Sequence, residues 1–168
     1  KCPGRSNLER HVFWSAKASK PQTGDNGFSC LIPGNRINPD LETLFRNNIV
    51  AYNTTNPTHF GGGGVFVHGA QGRFINNTIA FNHSDKGGGI ATHDGDFPTV
   101  KIENCIIYSN TTGSSHTQIT GPGNFNITNT NIEGGWAGAG NIDESPLFME
   151  NTALILQDGS PCMDMGDP

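Results

Sequence analysis

Three stretches of this chain repeat one pattern, and a fourth repeats it more weakly. They are FRNNIVAYN (45–53), FINNTIAFN (74–82), IENCIIYSN (102–110) and ITNTNIEGG (127–135). Each has an apolar residue, Asn two positions on, and an apolar residue three positions after that. The Asn column is Asn47, Asn76, Asn104 and Asn129; the apolar column is Val50, Ile79, Ile107 and Ile132. A second Asn column, Asn53, Asn82 and Asn110, becomes Gly135 in the last copy. Successive copies start 29, 28 and 25 residues apart. A repeat of this period builds a solenoid, a propeller or an array of stacked units.

The apolar runs are short and alternate, and Gly and Asn interrupt them. That is the pattern of strands and turns, not of amphipathic helices. Asn tolerates a left-handed backbone and bonds its own backbone, so it suits a sharp corner between strands. Corners stacked about 4.8 Å apart would let Asn amides bond up and down a column. The expected fold is all-β, a short right-handed parallel β-helix of about four to five coils with a C-terminal cap and an N-terminal arm.

The chain divides into an arm or cap at 1–26, coils over 27–140 and a closing segment at 141–168. The second and third coils open at the Gly-rich runs 61–64 and 87–89, and the fourth near Thr117–Gly121. This alignment places Val65, Ile90 and Ile119 in one column, Val67 over Thr92, and His68 over His93. Val65, Val67, Ile79, Ile90, Ile102, Ile107, Ile119 and Ile127 are the expected core. Arg73, Lys101, Glu103 and Asn126 point outward. Trp136, Leu147, Phe148, Leu154 and Leu156 are the candidates for covering the last coil, whose strand edges must be closed.

The net charge is −5 and charged residues make up 15% of the chain, with no basic cluster, so nucleic acid is not an expected partner. No apolar run reaches the roughly 18 residues of a membrane span. No signal peptide is visible; an exported form would have lost it. The four cysteines, Cys2, Cys30, Cys105 and Cys162, form no CxxC pair that would suggest zinc. An even count suits two disulfides in an oxidising compartment. Cys2–Cys30 would tie the arm to the first coil and Cys105–Cys162 the cap to the third; four buried thiols are the alternative.

The pieces GGGI…PTVKIENCIIYSN, NIEGGWAGAGNIDESPLF and SPCMDMGDP together resemble the closing coils of secreted bacterial right-handed parallel β-helix proteins. The GNID…PLF and SPC-x-D-x-G-D pieces are the specific part, and the likeness covers roughly 44–168. The resemblance implies an extracellular or cell-surface location. It brings no agreed catalytic set, so no active-site residue or cofactor transfers.

Two features carry potential chemistry. His68 and His93, with Asp94 and Asp96 following, would form a ligand face for a metal or a sugar, with Arg73, Lys86 or Lys101 nearby. Against this, two imidazoles lack the further ligands of a zinc site, and two acids in one turn do not straddle a glycosidase groove. Five Asn-x-Ser/Thr sequons occur, at Asn53, Asn76, Asn82, Asn110 and Asn126. Asn53, Asn82 and Asn110 leave strands for turns and are the expected glycan acceptors; Asn76, assigned to a ladder, is a poorer one.

The expected function is structural and non-catalytic: an extracellular β-helix that joins copies of itself, with no cofactor. Val12, Phe13 and Trp14 of the arm would add a strand to a neighbour. The alternative is a carbohydrate-active or carbohydrate-binding β-helix.

Overall fold

The structure, a computed structural model, describes residues 30–33, 42–55, 62–69, 71–93, 98–113, 115–149 and 154–166, the side chains of 30–33 excepted. The described residues are all-β, with fourteen strands and no helix. No helix is therefore long and apolar enough to cross a membrane.

The chain lays down strands in threes, and each third joins a different parallel sheet. The first sheet holds β1 (Cys30–Pro33), β4 (Val65–His68), β7 (Ile90–Thr92) and β12 (Ile119–Thr120), in that order. The second holds β2 (Glu42–Arg46), β5 (Gln71–Ile75), β8 (Thr99–Glu103) and β13 (Asn124–Thr128). The third holds β3 (Ile49–Ala51), β6 (Thr78–Ala80), β9 (Ile106–Tyr108) and β14 (Asn131–Ile132). Each set of three is here called a tier. A small antiparallel hairpin, β10 (Thr111–Thr112) and β11 (Ser115–His116), interrupts the third tier's exit.

Register follows the repeat. Val65 lies opposite Ile90, and Ile90 opposite Ile119. Phe45, Phe74, Ile102 and Ile127 align, as do Val50, Ile79, Ile107 and Ile132. Alternate residues of a strand face opposite ways, so β5 and β8 bury every second side chain. These columns form one apolar core; seven of the eight expected core residues are buried in it, and Ile119 packs against it half-buried. The Phe45 and Phe74 rings meet at 5.5 Å. Each fully buried Ile removes enough apolar surface from water to contribute about 1.5–3 kcal/mol.

The corner after the second sheet is sharp because one residue per tier takes a left-handed backbone. These are Asn47, Asn76, Asn104 and Asn129, with φ of 57°, 54°, 54° and 47°. Asn is the side chain that accepts this conformation most readily after Gly, so the expected corner is right. The expected ladder is displaced by one position. The residues that stack inside the turn are the next ones along: Asn48, Asn77, Cys105 and Thr130, all buried. Asn48 donates from its backbone N and its Nδ2 to Asn77 Oδ1, at 3.0 and 3.1 Å. Asn77 in turn donates to Cys105 Sγ, and the Cys105 backbone donates to Thr130 Oγ1.

The closing segment does two jobs. Residues 138–142 lie against the last tier, with Asn129 N donating to Ala139 O and Ile142 bridging Asn131 in parallel. The chain then folds back along the outside of the third sheet. Phe148 bridges Leu156 antiparallel, and Leu154 and Phe148 pack on Ala51 and Ala80. Leu154 and Phe148 therefore cover a side of the stack and not its end, which corrects the expected cap. Trp136 remains half-exposed, edge-on to Phe125, and Leu147 is exposed.

Candidate functional site

The most developed polar arrangement begins in the second Asn column. Asn53, Asn82 and Asn110 were expected in exposed turns. Instead they are buried, with Asn82 and Asn110 exposing no surface. Asn53 donates N and Nδ2 to Asn82 Oδ1, at 3.1 and 2.8 Å. Asn82 donates the same two groups to Asn110 Oδ1, at 3.1 and 2.9 Å. The second hydrogen of each amide reaches back one tier, from Asn82 to Val50 O and from Asn110 to Ile79 O. Buried amides must find such partners, and Asn82 and Asn110 each place both amide hydrogens.

The fourth rung is Gln118, which the repeat does not announce. Asn110 N and Nδ2 donate to Gln118 Oε1, at 3.2 and 2.7 Å. The reason lies in the glycines. Gly64 opens the second tier and Asn82 closes it; Gly89 opens the third and Asn110 closes it. A Cβ at Gly64 would stand 3.0 Å from Asn82 Nδ2, and one at Gly89 3.1 Å from Asn110 Nδ2. Backbone oxygens of the next tier, Gly89 O and Gln118 O, would lie closer still, so that backbone and the Asn amide together exclude a side chain there. In the fourth tier the pair is reversed: Gln118 stands where Gly64 and Gly89 do, and Gly135 where the Asn would be. Gln118 fills the same volume from the other side. That compensating exchange is the signal by which the sequence marks this residue.

Gln118 hands the chain of bonds to the surface. Its Nε2 donates to Glu133 Oε2 at 2.7 Å, and the Ser109 backbone N donates to the same oxygen at 2.9 Å. The other oxygen, Oε1, lies 2.8 Å from His116 Nδ1. Glu133 thus orients an exposed imidazole supplied by the β10–β11 hairpin. Tyr108 lies in the same region. Burial holds its phenol above the ordinary value, and Glu133 adds to the effect. A carboxylate–imidazole pair of this form can relay a proton or hold a hydrogen-bonding ligand. Sequence reasoning did not pick out any of Gln118, Glu133 and His116.

Two residues of the expected ligand face, His68 and His93, meet. The His68 and His93 rings stack at 4.3 Å and 28°, one tier apart on the first sheet, with Phe66 within 6.3 Å of both. Among the described residues no group of three or more His, Cys, Asp or Glu side chains could hold a metal ion. Arg73 and Lys101 pair with Glu103 at 2.8 Å and with Glu42 at 2.9 Å. Asp94, Asp96, Cys2, the Cys30 side chain, Val12, Phe13 and Trp14 lie outside the described residues.

Cys105 and Cys162 are free thiols, so the expected bridge between them is not formed. Cys105 Sγ takes the place of a ladder amide, accepting from Asn77 and donating to Glu103 O. Burial pushes this thiol up to about 11. Cys162 Sγ accepts instead from Asn131 Nδ2 at 2.9 Å. Both line a cavity of about 180 Å³ at the Asn corner, with Asn76, Asn104, Asn129 and Met165.

A third feature is aromatic. Tyr52 and Phe81 occupy left-handed corners at φ 59° and 56° and stack 5.2 Å apart at 4°. Phe148 adds a third ring 5.9 Å from Phe81. Bulky side chains pay strain in this conformation, which Asn or Gly would avoid.

Comparison with protein-family models, with curated proteins and with solved structures finds no match to this chain.

Proposed function

We propose that the chain is a structural module of the extracellular space: a right-handed parallel β-helix, closed at its C-terminal end, that associates head to tail with copies of itself. One observation carries this reading. β1, β2 and β3 each end a parallel sheet, with a single strand neighbour among the described residues. An edge of that kind is a template for a further strand. The segment 1–26, with Val12, Phe13 and Trp14, supplies a β-prone run, and strand addition through it is heterologous, so it builds an open filament unless it closes a ring. The resemblance of 44–168 to secreted bacterial β-helix proteins supports the extracellular location.

Light scattering and negative-stain microscopy of the intact chain and of a variant lacking residues 1–20 test the proposal. Filaments from the intact chain and monomers from the variant are expected. Polymers from the truncated chain, or none from the intact chain, would overturn the role of the arm.

The carbohydrate reading rests on the stacked rings of Tyr52 and Phe81, since flat apolar faces suit sugar rings. Release of reducing ends from uronate polymers, or binding of them lost on Tyr52→Ala, would favour it.

A further inference from the structure

The five sequons offer the same three-residue motif in two opposite environments, and the difference is chemical. N-glycosylation uses the Asn Nδ2 as nucleophile. It attacks C1 of a sugar on a polyprenyl-diphosphate oligosaccharide; the C1–O bond breaks, polyprenyl diphosphate leaves, and one amide proton passes to a base of the transferase. The product keeps a single N–H and carries the sugar where the other hydrogen was.

Two of the five amides, those of Asn82 and Asn110, have both hydrogens committed once the chain is folded, and a third, that of Asn53, is buried with one committed. Asn82 Nδ2 uses one hydrogen for Val50 O at 2.9 Å and the other for Asn110 Oδ1 at 2.9 Å. Asn110 Nδ2 uses its pair for Ile79 O at 2.8 Å and Gln118 Oε1 at 2.7 Å. Asn53 Nδ2 donates to Asn82 Oδ1 at 2.8 Å and is buried. A sugar on Asn82 or Asn110 Nδ2 would displace one of these bonds inside the buried column, and one on Asn53 would have to enter the same column. Glycosylation there and completion of the fold exclude each other.

The other two sequons are exposed. Asn76 is a left-handed corner residue at φ 54°, with its backbone N bonded to Glu103 O and its side chain turned outward from the ladder that Asn77 occupies. Asn126 lies on the outer face of β13, the last strand of its sheet, above Lys101. Thr78 and Thr128, the sequon hydroxyls, are each half-buried beside them.

We infer that Asn76 and Asn126 are the acceptor sites of this chain for N-linked glycans, and that Asn53, Asn82 and Asn110 are structural amides excluded from modification. The ranking read from the sequence is reversed by the fold.

The test is secretion of the full chain from a glycosylating eukaryotic host. Amidase release in heavy-oxygen water then converts each glycosylated Asn to labelled Asp, which peptide mapping reads. Label at Asn76, Asn126 or both is expected, with none at the ladder positions. Variants separate the sites without touching the asparagines. Thr78→Ala and Thr128→Ala each remove one sequon, and each is expected to lower the intact mass by one glycan where its site is occupied. Thr55→Ala and Thr112→Ala remove the sequons of Asn53 and Asn110; both hydroxyls are buried without a hydrogen bond, so neither change breaks a side-chain hydrogen bond. Neither is expected to alter the glycan mass. Label at Asn53, Asn82 or Asn110 in folded secreted protein would overturn the inference, as would a chain free of sugar at all five positions.

Discussion

The side-chain amide of Asn82 donates to the side-chain carbonyl of Asn110 across 2.9 Å, and neither residue exposes any surface. Removing Asn82 would strip partners from Val50 O, from both donors of Asn53, and from Asn110 Oδ1. Leaving buried polar groups unpaired costs about 1–3 kcal/mol each. Asn82→Ala is expected to lower unfolding free energy by about 3 kcal/mol or more. Asn82→Asp is expected to do the same, since a carboxylate would face two oxygens. Denaturant unfolding measures both; a loss below about 1 kcal/mol would show that the ladder is ornamental.

The corner Asn one position before each ladder residue behaves differently. Asn76 is exposed and left-handed, so Asn76→Gly is expected to change stability by no more than about 0.5 kcal/mol, and Asn76→Val to lower it by about 1–2 kcal/mol. Equal effects of the two changes would mean that backbone strain does not govern the corner.

Ile90 and Ile107 are wholly buried in stacked columns. Replacing either with Ala is expected to cost about 2–5 kcal/mol. Ile49, which lies on the outer face of the same sheet as Ile107 and is 46% exposed, is expected to tolerate Ala within about 0.5 kcal/mol. Thermal or denaturant melts of the three variants decide this.

Much of this arrangement was legible in the residues. Alternation in FRNN and FINN places Phe45 and Phe74 inward with Arg46 and Ile75 outward, because strand periodicity admits no other assignment. The ladder was misplaced because Asn47–Asn48 and Asn76–Asn77 are doublets. Either member satisfies composition, and only one takes the left-handed backbone. The later copies break the tie: Asn104–Cys105 and Asn129–Thr130 keep Asn at the corner and vary the buried partner. Gln118 was missed because the ladder leaves its column there, crossing to a residue that begins a tier instead of ending one. The Cys105–Cys162 bridge was inferred from an even count, which carries no information on where each sulfur points.

Cys105 supplies a pH test. Burial disfavours the thiolate and pushes its folded thiol up to about 11 from the ordinary value of 9.0. Below pH 9 both states hold the proton and the contribution to stability is complete. As pH rises from about 9 towards 11 the unfolded chain releases its proton first, so stability is lost across that window, by about 2–3 kcal/mol at most. Cys105→Ala is expected to flatten this part of the pH–stability curve. An unchanged slope would remove Cys105 from the account. In native protein, alkylation at pH 8 is expected at Cys162 well before Cys105.

Glu133 ties the hairpin to the ladder. Glu133→Ala leaves His116, Gln118 Nε2 and the Ser109 N–H without this partner. Amide exchange at Ser109 is expected to speed up markedly while protection at Ile90 and Ile107 persists. Global loss of protection would show instead that Glu133 supports the whole stack.

The rungs from Asn53 to Glu133 also share a direction. Besides the hydrogens that reach back, Asn53, Asn82, Asn110 and Gln118 each donate one amide hydrogen to the rung that follows, and Asn82, Asn110 and Gln118 each accept from the rung before, so their carbonyls point the same way. Aligned amides add, as peptide units do along a helix, and they polarise one another. The positive pole of this column falls at the last tier, and the carboxylate of Glu133 sits on it. Glu133 therefore closes the column electrostatically: a positive charge at residue 133 would face that pole directly and weaken the Gln118 rung first.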